Sequence, residues 1–300
     1  MNVADADWLT QSLVSKGWTE SGESDAQVFV VTTCSVREKP EQKVYSLLGR
    51  LKAYADRDPD VFVAVGGCVA QQIGEEFWNR FPFVRLVFGT DGTAMVPQSL
   101  DRLVADPALR ISLLDFLDHY PERQQPEGGT VQAQAFVNIM QGCDNFCTYC
   151  IVPFTRGRQK SRGSDAVAAE CEALVRRGAR ELTLLGQNVN SYGQDKHGDG
   201  TSFASLLERI SAIPGLERLK FTTSHPKDIA PEVVTAFGKL PNLCPQLHLP
   251  VQSGSDAVLK AMGRKYTRDR YLEIIGELRR VCPHIALTTD IIVGFPGETV

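Results

Sequence analysis

Three cysteines lie within eight residues: Cys143, Cys147 and Cys150, in a C-x3-C-x2-C arrangement that follows an apolar run. Three thiolates in one short loop can bind three irons of a four-iron, four-sulfur cluster. A structural zinc site wants four protein ligands, and no fourth Cys or His lies nearby in the sequence. Three ligands leave one iron open, which makes a site for a substrate rather than a plain electron carrier. The bland alternative, a chance group of buried free thiols, is hard to reconcile with three cysteines so close together before a β/α turn.

The other five cysteines are scattered: Cys34, Cys68, Cys171, Cys244 and Cys282. Disulfide frameworks belong to small secreted chains. This chain has 300 residues, and its N-terminus shows no basic region followed by an apolar block. No apolar run reaches the roughly 20 residues that a bilayer-spanning helix needs. The expected setting is therefore the cytoplasm, without a membrane. Hydrophobic residues make up 43%, enough for a packed core, and the net charge is −4. A polyanionic partner would have to be held by local basic patches, Arg156 to Arg162 and Gly263 to Arg270. Solvated surface charge is a fair rival for the second patch. A role at the mouth of the site is favoured for the first, because it directly follows the cysteine loop.

The elements that must position these residues follow an α/β pattern. A helix over 3–16 precedes an apolar strand at 27–31, which ends at Thr32-Thr33-Cys34-Ser35. A helix over 37–55 leads to a strand from Val61 to Val65, ending at Gly66-Gly67-Cys68, and a third strand runs from Val84 to Phe88. Strands alternating with helices predict a doubly wound parallel sheet. Ligands sit beyond the carboxyl ends of such strands, so Cys34 and Cys68 should face a common crevice. Residues 121–130, PERQQPEGGT, read as a linker. Beyond it come strands Ala135–Met140, Leu182–Leu185, Leu219–Thr223, Leu247–Val251 and Leu287–Val293, with helices such as 164–177 and 202–212 between them. Five β/α repeats predict a partial (β/α) barrel with functional residues at the strand ends. The expected domains are 1–122 and 123–300. Both ends of the chain read as cut: the first domain would lack its first strand and the second its closing units.

C-x3-C-x2-C with an aromatic residue before the last cysteine resembles the radical S-adenosylmethionine enzymes. GCDNFCTYCIVPFTRGR over 142–158 is similar to the signature of the methylthiotransferases. LGQNVNSY at 185–192, HLPVQSGS at 248–255 and TCSVREK at 33–39 are similar to the branch that modifies tRNA. The sister branch, which methylthiolates an aspartate of a ribosomal protein, differs after the cysteine loop and at the HLPVQSGS strand.

The resemblance implies a radical-SAM barrel in which Cys143, Cys147 and Cys150 hold the catalytic cluster. S-adenosylmethionine would bind its open iron and be cleaved to a 5′-deoxyadenosyl radical, with Tyr149 near the adenine. The strand-end residues Gly186, Gln187, Asn188, Gln252, Ser253 and Gly294 are the other candidates for cofactor contacts. Gly294 opens Gly294-Phe295-Pro296-Gly297-Glu298, which could equally be a plain turn. A second, auxiliary 4Fe-4S cluster is implied in the first domain. Cys34 and Cys68 match two of its ligands, and the third, before a Gln-Met-Asn segment, has no counterpart here. A C-terminal RNA-binding barrel of the TRAM type has none either. The implied reaction is methylthiolation at carbon 2 of N6-isopentenyladenosine beside the anticodon of tRNA. Its partners would be the anticodon stem-loop and an electron donor such as flavodoxin or ferredoxin, and the enzyme would be a monomer. The alternatives are the ribosomal-protein methylthiotransferase and a non-catalytic iron–sulfur or zinc protein that binds RNA. Cys171, Cys244 and Cys282 match no ligand of the family, and His225 and His248 lack metal-ligand spacing.

Overall fold

The computed structural model describes residues 2–35, 38–121, 123 and 132–299. The expected linker at 121–130 therefore lies outside the described residues, apart from Pro121 and Arg123, and so do Val36 and Arg37 of the TCSVREK segment. Two compact units are present: Met1–Gly129 with Ile151–Gly157, and Thr130–Cys150 with Arg158–Val300. Among the described residues no helix is long and apolar enough to cross a membrane.

The first unit runs α1 (Asn2–Ser15), β1 (Val28–Thr33), α2 (Glu38–Ala55), β2 (Phe62–Gly67), α3 (Cys68–Ile73), α4 (Glu76–Arg80), β3 (Val84–Phe88), α5 (Val96–Ala105) and β4 (Ile111–Leu113). Its later segment carries the single turn α6 (Val152–Thr155). The four strands lie in the order β1-β2-β3-β4, all parallel. Successive side chains of a strand point to opposite faces, and β2 shows the consequence. Phe62 and Ala64 join Leu9, Leu86, Leu100 and Leu103 in one buried cluster. Val63 and Val65 join Val44, Leu48, Leu51, Val69 and Phe77 in another. Both faces are covered by helices, as an all-parallel sheet requires. Each of the Val, Leu and Phe side chains among these contributes about 1.5–3 kcal/mol when fully removed from water. Strand β4 has no counterpart in the sequence reading, because three residues are too few for an alternation to register.

The second unit contains β5 (Gln134–Asn138), β6 (Met140–Gln141), β7 (Lys160–Ser161), α7 (Ser164–Arg176), β8 (Glu181–Leu185), α8 (Phe203–Ser211), β9 (Arg218–Thr222), α9 (Pro231–Lys239), β10 (Gln246–His248), α10 (Asp256–Ala261), α11 (Arg268–Val281) and β11 (Ala286–Thr288). Strands β5-β8-β9 are parallel neighbours, β10 and β11 pair in parallel, and an isolated parallel bridge joins Leu219 of β9 to Leu243, three residues before β10. Helices α7, α8, α9 and α11 contribute to the single core of this unit, where Phe203 and Phe221 meet edge to face at 5.0 Å. Ser202, Ser255 and Thr267 cap α8, α10 and α11, each side-chain oxygen accepting an amide of the first turn. At the amino ends of the strands, Glu181 of β8 binds both Arg218 (2.5 Å) and Lys220 (2.7 Å) of β9.

Three expected strands are shorter than their apolar runs. Ala135–Met140 is broken at Ile139, after which β6 pairs antiparallel with β7. Leu247–Val251 ends at His248, since Pro250 has no amide to donate and Gln252 takes a positive φ of 69°. Leu287–Val293 ends at Thr288, with one isolated bridge from Ile291 to Gln252. Beyond β10 burial continues after the ladder has stopped, with Leu249 fully buried, whereas beyond β11 the apolar run is exposed at Ile291 and Val293.

Candidate active site

Cys143 is the second residue after β6, and the loop 142–150 is anchored at nearly every spacer. The Gly142 amide donates to Gln187 Oε1 at 2.6 Å. Asp144 accepts the Gln159 amide at 3.1 Å and pairs with Arg158 at 2.9 Å. Buried Asn145 donates through Nδ2 to Asp228 Oδ2 at 3.1 Å. Phe146 adopts φ 49° beneath the Arg158 guanidinium, 5.0 Å from its ring centroid. A bulky residue in this left-handed region costs about 1–3 kcal/mol and persists only where its surroundings over-determine it. Thr148 donates its amide to Met262 O and its hydroxyl to Ala261 O. Gly263 comes next, at φ +71°, where a side chain would be strained.

Behind the loop, Asp228 also accepts Asn188 Nδ2 at 2.7 Å and pairs with Lys227. Burial would raise the Asp228 carboxyl, but hydrogen bonds from Lys227, Asn145 and Asn188 outweigh it and hold the group below its ordinary value. One carboxylate thus ties the cysteine loop to the end of β8. His225 is buried 3.8 Å from Cys147 Sγ and accepts the Lys227 amide at Nδ1. Burial, then the neighbouring Arg264, push the imidazole down to about 3. It is therefore neutral at ordinary pH. With Nδ1 accepting, the hydrogen-bond pattern assigns the proton to Nε2, the nitrogen facing the sulfur. Arg264 reaches Cys147 Sγ at 3.5 Å and Tyr149 Oη at 3.3 Å.

The expected site residues fall into groups. Tyr149, half exposed, meets Cys147 through Arg264. Gln187 and Asn188 join the loop as described, and Gly186 is required by packing, since a Cβ there would lie 2.5 Å from Met140. Gln252 and Ser253 are buried at the end of the second strand pair, where Gln252 exchanges backbone hydrogen bonds with Asp290 and Ile292. Gly294 stands exposed beyond β11. Three further groups have no counterpart in the sequence reading: Asn145, Asp228 and Arg264. Asp228 had no signal, whereas Asn145 lies within the signature over 142–158 and Arg264 in the basic stretch 263–270. That stretch is not uniformly solvated, because Arg264 is only 5% exposed. In the other stretch Arg158 reaches the loop, whereas Arg162 is tied to Glu170 at 2.6 Å. His248 bonds Thr288 and Asp290.

Burial governs the first thiol of the loop. Burial pushes Cys143 up to about 11, and Cys150 and Cys147 add to the shift because a second anion there would be repelled. A cationic centre removes that penalty and deprotonates the thiols. Among the described residues no three His, Cys, Asp or Glu side chains converge as a single metal ion would need. Cys171, in the core of this unit, is pushed up by burial and is inert.

In the first unit, Thr33 of β1 pairs with Gly67 of β2, so the next residues, Cys34 and Cys68, leave the sheet side by side. The Thr33 hydroxyl donates to Gly66 O at 2.6 Å and accepts the amides of Val69 and Ala70. Gly67, at φ +93°, has no room for a Cβ, which would lie 2.4 Å from Thr33 O. The described residues offer no third ligand here.

Residues 137–300 match the Radical SAM superfamily, and residues 1–89 match the uncharacterized protein family UPF0004. The chain is 65% identical over 300 residues to a tRNA-2-methylthio-N(6)-dimethylallyladenosine synthase of Nitratidesulfovibrio vulgaris, covering 100% of this chain and 67% of that one. It is 50% identical over 306 residues to the synthase of the same name from Geobacter metallireducens, covering 100% and 68%. Among solved structures it resembles the radical S-adenosylmethionine methyltransferase TsrM from Kitasatospora setae, with a TM-score of 0.62 at 16% identity over 98% of this chain and 60% of that one. It also resembles the cobalamin-dependent radical enzyme OxsB, with a TM-score of 0.60 at 14% identity over 90% and 41%. At such identities these two likenesses concern the fold alone.

Proposed function

We propose that this chain, which belongs to the radical SAM superfamily and within it to the family of the tRNA-2-methylthio-N(6)-dimethylallyladenosine synthases, is a transferase that places a methylthio group on carbon 2 of N6-isopentenyladenosine beside the anticodon of tRNA. The single observation that carries the chemistry is the loop of Cys143, Cys147 and Cys150, anchored at its spacers by Gln187 and Asp228 at the strand ends. A 4Fe-4S cluster held by these three thiolates would supply the electron that cleaves S-adenosylmethionine and yields the 5′-deoxyadenosyl radical.

The residues around the loop supply position and polarity. Gln187 fixes the entry to the loop at Gly142, and Asp228 fixes its middle at Asn145. Buried Asn188 Oδ1, both side-chain polar atoms of Asn190 and Ser224 Oγ make no hydrogen bond. Buried polar groups are normally satisfied, so at the ends of β8 and β9 they suit the polar groups of the cofactor. Tyr149, with its ring half open, suits stacking against a base. Cys34 and Cys68 would serve an auxiliary cluster as two of its ligands. An anticodon loop is single-stranded, and its bases can be splayed out for recognition. The electron would come from a donor such as flavodoxin or ferredoxin, and the protein would act as a cytoplasmic monomer.

The test is nucleoside mass spectrometry of tRNA from a bacterial host that lacks this modification, before and after it receives the gene. Appearance of the 2-methylthio nucleoside is expected. A methylthiolated ribosomal protein with unchanged tRNA would instead assign the chain to the sister branch. Protein that never cleaves S-adenosylmethionine after anaerobic iron loading would be a binding protein and no enzyme.

A further inference from the structure

Arg264 is a buried cation without a carboxylate. It is 5% exposed, and among the described residues it forms no ion pair with Asp or Glu. Its Nη2 donates to Pro250 O at 3.1 Å, its Nε to Tyr266 Oη at 3.2 Å and its Nη1 to both Tyr149 Oη at 3.3 Å and Cys147 Sγ at 3.5 Å. Tyr266 is itself committed, donating to Val251 O at 2.6 Å. Burying a charge is costly unless an opposite charge and hydrogen bonds compensate it. Carbonyl and phenol oxygens provide the hydrogen bonds. The counter-charge is missing from the oxygen set, and the one remaining partner is a sulfur that becomes anionic when it ligates metal.

We propose that Arg264 is the fixed counter-charge of the cluster at Cys147, and that its guanidinium makes the cluster easier to reduce while locking Cys147 and Tyr149 in one arrangement. This rests on the reading of Cys143, Cys147 and Cys150 as cluster ligands. Reduction brings in one electron from an external one-electron donor, breaks no bond and adds one negative charge to the thiolate-bound cluster. A cation beside a ligand sulfur stabilises the more negative state more strongly, and the low-dielectric surroundings keep that difference from being screened. Lysine keeps the charge but lacks the fork that reaches sulfur, phenol and carbonyl together.

The experiment is an anaerobic redox titration with titanium(III) citrate of wild type, Arg264→Gln and Arg264→Lys. The reduced cluster is followed by electron paramagnetic resonance, with iron counting and circular dichroism on each sample. Arg264→Gln should be about tenfold harder to reduce, a midpoint lower by ~59 mV for a one-electron couple. Arg264→Lys should recover more than half of that shift. A wild-type midpoint in Arg264→Gln, or a lysine variant shifted as far as the glutamine one, overturns the proposal, because a packing role does not follow charge. If Arg264→Gln takes up no iron, the lysine variant decides: restored loading supports the counter-charge, and an iron-free lysine variant refutes it. Wild type that assembles no cluster removes the proposal together with the functional reading, whereas an unshifted Arg264→Gln removes this proposal alone.

Discussion

The cysteines of the two units are held in contrasting ways. Beside Cys34 and Cys68 the support is mostly backbone: paired strand ends, a glycine at positive φ and the one hydroxyl of Thr33. Around Cys143, Cys147 and Cys150 it is a web of side chains, in which Asp228, Gln187, Arg158 and Arg264 each grip a different part of the loop. The first arrangement sets two thiols side by side and asks the incoming group to do the rest. The second fixes the spacers between its thiols through the protein's own side chains. Preorganisation of this kind suits a site where a bound cofactor must be cleaved in one geometry.

The comparison can be broken most sharply at the ligands. Cys147→Ala should abolish both iron binding at the loop and release of 5′-deoxyadenosine, whereas Cys68→Ala should leave cleavage intact. Iron counts and chromatography of the nucleoside report the two outcomes. Next in size is Asp228→Asn, which weakens two amide hydrogen bonds to a charged acceptor. Loss of such an outer contact typically costs 10–100-fold in metal affinity, so iron retention against a chelator should fall by about that factor while the fold, read by circular dichroism, is retained. An Asp228→Asn protein that holds iron like wild type would show that the web is ornamental.

Much of this was legible in the sequence, and the exceptions share a cause. C-x3-C-x2-C is a local pattern, and so are the apolar runs that mark β1, β2, β3 and β8. Asp228 and Arg264 reach the loop across 83 and 117 residues of sequence, respectively, and no spacing rule connects such partners. Basic composition pointed to the 263–270 stretch but could not separate buried Arg264 from exposed Arg268 and Arg270. Strand ends are overrun at His248 and Thr288 because hydrophobicity does not register where hydrogen bonding stops.

Two smaller effects sharpen the contrast. Gly263→Ala forces a side chain into φ +71° beside the loop, with its Cβ 3.7 Å from Phe146 O. The conformational cost of about 1–2 kcal/mol should appear as a lower denaturation midpoint with an unchanged denaturant slope. Smaller still is the acid response of Glu181. Hydrogen bonds from Lys220 and Arg218 hold its carboxyl below the ordinary value against burial. A depressed folded-state value means that its stabilisation is present above the unfolded value of about 4.3 and is lost as pH falls below it. Thermal melts of wild type should therefore drop more steeply than those of Glu181→Gln over that acid range, and parallel curves would refute the assignment.

In the proposed function the three-cysteine loop leaves one iron open for S-adenosylmethionine. Electron–nuclear double resonance on the reduced protein, supplied with S-adenosylmethionine labelled with nitrogen-15 at its amino group, tests this directly. Wild type should show a nitrogen-15 coupling to the cluster, and Cys34→Ala and Cys68→Ala should show the same coupling. Absence of the coupling in iron-loaded wild type, or its loss in either first-unit variant, would contradict this reading.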